Sequence, residues 1–126
     1  MDKINLGDVE LEILQIVWRL GEASVKDVQE EILKNRDVAY TSVMTMMQHL
    51  TKKGYLMHRK VSRSYIYSAK IDPEEVRSGL LKRTVDYAFG GSVTDLVQHM
   101  VKQKQIDPDQ LDEIKRMIDN LDDNKE

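Results

Sequence analysis

Thr41, Ser42, Thr45, Gln48, His49 and Lys52 recur at spacings that gather them on one side of a helix. They offer hydroxyl, amide, imidazole and ammonium groups, which suit recognition better than bond breaking. A hydroxyl can bond a phosphate or a base edge, a Thr methyl can pack on a thymine methyl, and Gln can pair with adenine through two bonds. No Arg lies on that helical side to read guanine, so base readout is expected to favour A·T-containing steps and to rest partly on shape. Arg59, Lys60 and Arg63 follow shortly after. From Val38 to Ile71 there is no Asp or Glu, although the whole chain carries 22 acidic against 19 basic residues. Cations bind a polyanion by releasing its condensed counterions, and a nearby carboxylate would cancel that gain. Solvated faces normally mix both signs, as residues 26–37 do. The acid-free stretch therefore points to nucleic acid.

Other chemistry finds little support. There is no Cys, so thiolate metal sites, disulfides and cysteine nucleophiles are excluded. His49, His58 and His99 are scattered, without a partner at ligand spacing. Met44, Met46, Met47 and Met57 read as adaptable core filler. Gly90-Gly91 is a helix break rather than a phosphate loop, and the carboxylates of the second half sit where helix capping explains them. No cofactor, metal or enzymatic activity is expected.

The elements that must position these groups follow from periodicity. Leu11, Leu14, Val17 and Trp18 predict a helix over Asp8–Leu20, stopped by Gly21. Ser24 and Asp27 form a capping box for a second helix, with Val25, Val28, Ile32 and Leu33 facing inward. Val43, Met46, Met47 and Leu50 make the buried stripe of a third helix over about 41–53, ended by Gly54. After Gly54 the period alternates, and two short strands over about 56–68 are joined by Val61-Ser62-Arg63-Ser64. Ser62 reads as an ordinary turn residue, and one face of the Tyr65-Ile66-Tyr67 strand as packed. Three helices and a basic hairpin are the order of a winged helix-turn-helix. Beyond it, Asp72-Pro73 and Asp107-Pro108 open capped helices and Ser92 opens another between them.

The expected fold is thus mainly α with a small β-hairpin. A winged helix-turn-helix DNA-binding domain occupies residues 1–70, and a three-helix dimerisation region occupies residues 71–126. Charge divides the same way, with 11 basic and 9 acidic residues in 1–70 but 8 and 13 in 71–126. At 40% hydrophobic and 33% charged the chain is globular, and no apolar run approaches the ~20 residues that span a bilayer. The N-terminus lacks the order of a signal peptide, so a soluble cytoplasmic protein is expected. The last three helices carry more apolar surface than one subunit can hide. Leu80, Leu81, Val85, Phe89, Leu96, Val97, Met100, Leu111, Ile114 and Ile118 are the expected interface of a homodimer.

The residues "AYTSVMTMMQHLTKKGYL" and "RSYIYSAKI", flanked by "LEILQIVW" and "FGGSVTDLVQHM", resemble the signature of the BlaI/MecI/CopY family of bacterial repressors. The resemblance spans nearly the whole chain. It implies a homodimer that binds a pseudo-palindromic double-stranded DNA operator through its winged domains. Best-known members are inactivated when a membrane-bound sensor protease triggers cleavage of an Asn-Phe bond; the matching pair here is His99-Met100, which departs from it. The Cys-x-Cys pair of the copper-responsive branch is absent, as is a Gly common in the family's wing tip. Two other readings stand beside the repressor: a winged helix used only for protein–protein assembly, and a DNA-binding regulator switched by a small ligand in its second half.

Overall fold

The computed structural model describes residues 4–123. In chain order the elements are α1 (Asp8–Leu20), β1 (Glu22–Ala23), α2 (Val25–Leu33), α3 (Tyr40–Lys52), β2 (Leu56–Val61), β3 (Ser64–Ala69), α4 (Pro73–Ala88), α5 (Val93–Lys102) and α6 (Pro108–Asp123). The three strands form one antiparallel sheet in the order β1-β3-β2, so the expected hairpin gains a third strand. Two residues are too few to show an alternating period, and β1 exists only because Glu22 and Ala23 pair with Ser68 and Tyr67 of β3. The helices and sheet are those of a winged helix-turn-helix.

One core holds this unit together. Ile13, Leu14 and Val17 of α1, Val28 and Ile32 of α2, and Val43, Met47 and Leu50 of α3 are all at most 1% exposed, with Leu56 of β2 beside them. Leu11, Trp18 and Met46 are only partly buried at its rim. Leu33 was expected inside but is exposed. It lies about 100° round the helix from Ile32, outside the stripe made by Val25, Val28 and Ile32. The Trp18 indole N–H donates to the Ile71 carbonyl at 3.0 Å, tying α1 to the chain after the sheet.

The chain divides into two compact units, one running to Leu80 and one from Leu81. The division lies inside α4 rather than at 70/71, because Ile71, Val76 and Leu80 pack on the winged core. Gly79 belongs to that contact: a methyl group there would overlap the Ile4 side chain. The second unit contains the end of α4, α5 and α6. Ser92 caps α5 through the Asp95 N–H, and Asp107 and Gln110 cap α6 reciprocally at 2.8 and 3.0 Å. Among its described residues only Val85 is buried.

Two local features carry energetic consequences. The Glu10 carboxylate is 6% exposed and accepts from the Gly7 N–H at 3.0 Å and from Lys53 Nζ at 2.9 Å to both oxygens. Burial pushes its carboxyl up, but the Gly7 and Lys53 hydrogen bonds and the Lys53 charge outweigh burial and hold it below the ordinary value. Secondly, Ser62 at the hairpin tip has φ 58°, a left-handed conformation that costs a residue with a Cβ about 1 kcal/mol or more.

Removing Lys53 strands the Glu10 charge. Lys53→Met should therefore destabilise the fold by about 1–3 kcal/mol, less than a fully buried pair because Lys53 remains partly hydrated. Since Glu10 is depressed in the native state, its contribution is full above the ordinary value of 4.5 and fades as pH falls through the lower native value. Thermal melts of wild type and Glu10→Gln should differ most near neutrality and converge in acid. Ser62→Gly should raise stability by up to ~1 kcal/mol, read in the same melts, because glycine adopts positive φ without strain.

Candidate nucleic-acid interface

The surface proposed from sequence is built on α3. Val43, Met47 and Leu50 turn one side of that helix into the core. Thr41, Ser42, Thr45, Gln48, His49 and Lys52 are all exposed and occupy a sector of about 120° on the opposite side. Ala39 is the N-cap and makes no side-chain capping bond. Thr41 and Ser42 lie inside the first turn, so their hydroxyls are not spent as N-caps. The approach to α3 is fixed by α2, whose Gln29 amide donates to the Val38 carbonyl at 3.2 Å. Its exit is fixed by Gly54 at φ 87°, which lets the Tyr55 N–H return to the Leu50 carbonyl at 2.9 Å. That left-handed helix end aims the chain directly into β2.

The hairpin has two chemically different faces. Leu56 pairs with Ala69, His58 with Tyr67 and Lys60 with Tyr65, which puts these six residues on the face that covers the core and continues past it. Tyr67 is buried there, whereas Tyr65 is exposed and its ring lies 4.4 Å from that of His58. Only the inner end of this strand face is packed, because the core stops short of the hairpin tip. Met57, Arg59 and Val61 point to the other face, with Ile66 and Ser64 opposite Arg59 and Val61. Arg59 reaches across β3 to the Glu22 carboxylate at 3.2 Å. Its charge is therefore offset by an acid outside the acid-free stretch, and it stands apart from Lys60.

Ion pairing sorts the remaining cations in the same way. Lys53 is bound to Glu10, Arg36 to Glu12, and Arg19 and Lys34 both to Glu31. Lys34 first, and then the neighbouring charges, hold the Glu31 carboxyl below its ordinary range. Among the described residues no carboxylate pairs with Lys52, Lys60, Arg63 or Lys70. The structure thus brings Thr41, Ser42, Thr45, Gln48, His49 and Lys52 together, leaves Lys60 and Arg63 uncompensated on the hairpin, and sets Arg59 aside. Tyr40, the first residue of α3, is 47% exposed beside them. A sequence reading that seeks cations and small hydroxyl groups passes over it.

The residues expected at a subunit interface are placed unequally. Leu80 packs on the winged core and Val85 is buried. Phe89, Leu96, Met100, Leu111 and Ile114 are partly buried, while Leu81, Val97 and Ile118 are exposed. Val93 and Val101 join Val97 along a shallow groove of about 520 Å³ on α5, completed by Thr94, Gln98 and Lys102. Tyr87, Met117 and Leu121 are exposed as well. His99 and Met100 lie within α5, with the His99 ring 5.8 Å from that of Phe89. Among the described residues no group of three or more His, Asp and Glu side chains could hold a metal ion, and no helix is long and apolar enough to cross a membrane.

Known proteins resemble this chain over the same surface and beyond it. The transcriptional regulator BlaI of Mycobacterium tuberculosis is 29% identical over 119 residues, which are 93% of this chain and 85% of that protein. The solution structure of the DNA-binding domain of the repressor BlaI is 32% identical, covers 60% of this chain and 93% of its own, and superposes with a TM-score of 0.52. The monomeric form of Bacillus licheniformis BlaI, solved in complex with the blaP half-operator, is 28% identical over 59% of this chain and 90% of its own, with a TM-score of 0.50. The pattern of the penicillinase repressor family matches residues 6–120, and the chain belongs to that family.

Proposed function

We propose that this protein is a transcriptional repressor that binds a pseudo-palindromic operator as a homodimer, with α3 in the major groove and the β2–β3 wing on the adjoining backbone. The observation that carries the reading is the bare face of α3, free of acids and lined by hydroxyl, amide and ammonium groups, next to a wing with two uncompensated cations. A relative of the same fold has been solved on a half-operator, which supports the placement. Lys52, Lys60 and Arg63 hold phosphates; Thr41, Ser42, Thr45, Gln48 and His49 meet the groove. A protein used solely for assembly has no need to clear carboxylates from 34 consecutive residues, 38–71.

The second unit joins the subunits. With a single buried residue among those described and a run of exposed Leu, Val, Ile and Met side chains, it lacks a sufficient core of its own. A two-fold partner laid on α5 and α6 would cover Val93, Val97, Val101, Met117, Ile118 and Leu121. Tethering two winged units raises the effective concentration of the second on its half-site, so avidity exceeds single-site affinity by about 10²–10⁴. Separating the subunits is then enough to release the operator. A membrane sensor protease is not needed for this reading, since the His99-Met100 pair departs from the Asn-Phe bond that the family resemblance implies.

Three uncompensated contacts per subunit predict that affinity for duplex DNA falls about 10³-fold between 50 and 200 mM salt, measured by fluorescence anisotropy. Lys60→Ala and Arg63→Ala should each flatten the log–log slope for every duplex, whereas Arg59→Ala should change it less, because Glu22 already offsets that charge. Thr45→Ala or Gln48→Ala should instead cost roughly 1–3 kcal/mol at particular base pairs. Salt-independent binding would refute the reading. Val97→Asp should yield monomers in sedimentation and weaken operator binding about 10²-fold or more while leaving the melt of the winged unit intact. A monomeric wild type, or a monomeric variant with full affinity, would refute the dimer.

A further inference from the structure

Four of the five tyrosines fall inside the acid-free stretch, at 40, 55, 65 and 67. Two of them serve the fold. Tyr55 is 5% exposed, and its hydroxyl accepts from the Asn5 N–H at 3.2 Å. Tyr67 is 3% exposed and packs in the core beside the sheet. The other two, Tyr40 and Tyr65, are 47% and 46% exposed. Among the described residues neither of their hydroxyls has a hydrogen-bond partner.

An exposed phenol hydroxyl without a partner in the protein is available to donate to an outside acceptor. Each of the two has a defined setting. Tyr65 stands opposite Lys60 on the hairpin, and its ring leans on His58, which in turn lies 5.3 Å from Tyr67. Burial first, and then the phenols of Tyr65 and Tyr40, push the Tyr67 hydroxyl above its ordinary value. Tyr40 begins α3 immediately before Thr41 and Ser42. The rings of Tyr67, His58 and Tyr65 thus follow one another along the sheet face toward the wing, and Tyr40 stands at the start of α3.

We propose that Tyr40 and Tyr65 are neutral phosphate anchors, whose hydroxyls donate hydrogen bonds to the DNA strand lying between the groove that holds α3 and the one beside the wing. The inference rests on the DNA-binding reading above and adds to it. Half or more of protein–DNA hydrogen bonds go to the sugar-phosphate backbone, and Tyr is among their regular donors. Such anchors fix register without reading sequence. They also differ from Lys60 and Arg63 in a measurable way: a phenol carries no charge, so its contact displaces no counterion and leaves the salt slope unchanged.

The test uses the full chain with Tyr40→Phe and Tyr65→Phe, each of which keeps the ring and deletes only the hydroxyl. Titrated against an operator duplex and an unrelated duplex over a range of salt, each variant should lose roughly tenfold in affinity, the size of one hydrogen bond to a charged acceptor. The loss should be equal for both duplexes, and the log–log salt slope should match wild type. A scan of single methylphosphonate substitutions along the duplex supplies the second arm, independent of protein folding. At the contacted phosphate the substitution should weaken wild type but weaken Tyr40→Phe no further. Unchanged affinity in both variants, a changed slope, or a loss confined to one base position would overturn the proposal. A wild type that binds no duplex at all would instead sink the DNA-binding reading, and this inference with it.

Discussion

The Glu10 carboxylate is the junction on which the geometry of the winged unit depends. It closes the first turn of α1 through the Gly7 N–H and holds the ammonium of Lys53 at the end of α3. Lys53 also donates to the Asn5 carbonyl, and the Asn5 N–H donates to the Tyr55 hydroxyl at the start of β2. Three elements thus meet at one buried charge. An unpaired carboxylate there would be expensive, whereas a paired one ties the end of α3 to the scaffold rather than to solvent. The orientation of α3 is set by its hydrophobic stripe on one side and by this polar lock at its end.

A second constraint is the allocation of charge. The unit is rich in acids, yet those that carry salt bridges sit on α1, β1 and α2 and draw cations away from the exposed side of α3. What remains facing outward is a small set of free ammonium and guanidinium groups among neutral donors. On the proposed reading such a surface attracts a polyanion without binding it indiscriminately, because much of its hydrogen bonding is uncharged. Discrimination then falls to the fit of short side chains and to the deformability of the duplex. Proteins that separate affinity from specificity in this way need precise placement more than they need charge, and the lock at Glu10 supplies it.

The second unit follows a different logic. Its helices are well capped, so local hydrogen bonding is satisfied. Their apolar sides nevertheless remain largely uncovered. Capping determines where a helix begins; it does not determine what the helix packs on. On the proposed reading a two-fold partner covers those apolar sides, and subunit coupling becomes a point of control.

How much of this was written in the chain varies with the range of the interaction. The bounds of α1, the capping box of Ser24 and Asp27, the stripe of Val43, Met47 and Leu50 and the exposed face of α3 were all legible, because helical period and capping act over three or four residues. The absence of acids from Val38 to Ile71 was legible by inspection. β1 was not, since two residues become a strand only when β3 lies beside them. Nor could the sequence tell Arg59 from Lys60: adjacent strand residues point to opposite faces, and only the folded sheet brings Glu22 to one of them. Tyr40, Tyr55, Tyr65 and Tyr67 look alike in sequence, yet burial separates two that hold the fold from two that are free. Local periodicity determined the elements and their outward chemistry. Which charges stay uncompensated, and which hydroxyls stay available, was decided largely by contacts between residues 12 to 50 positions apart, and those exist only once the chain has closed on itself.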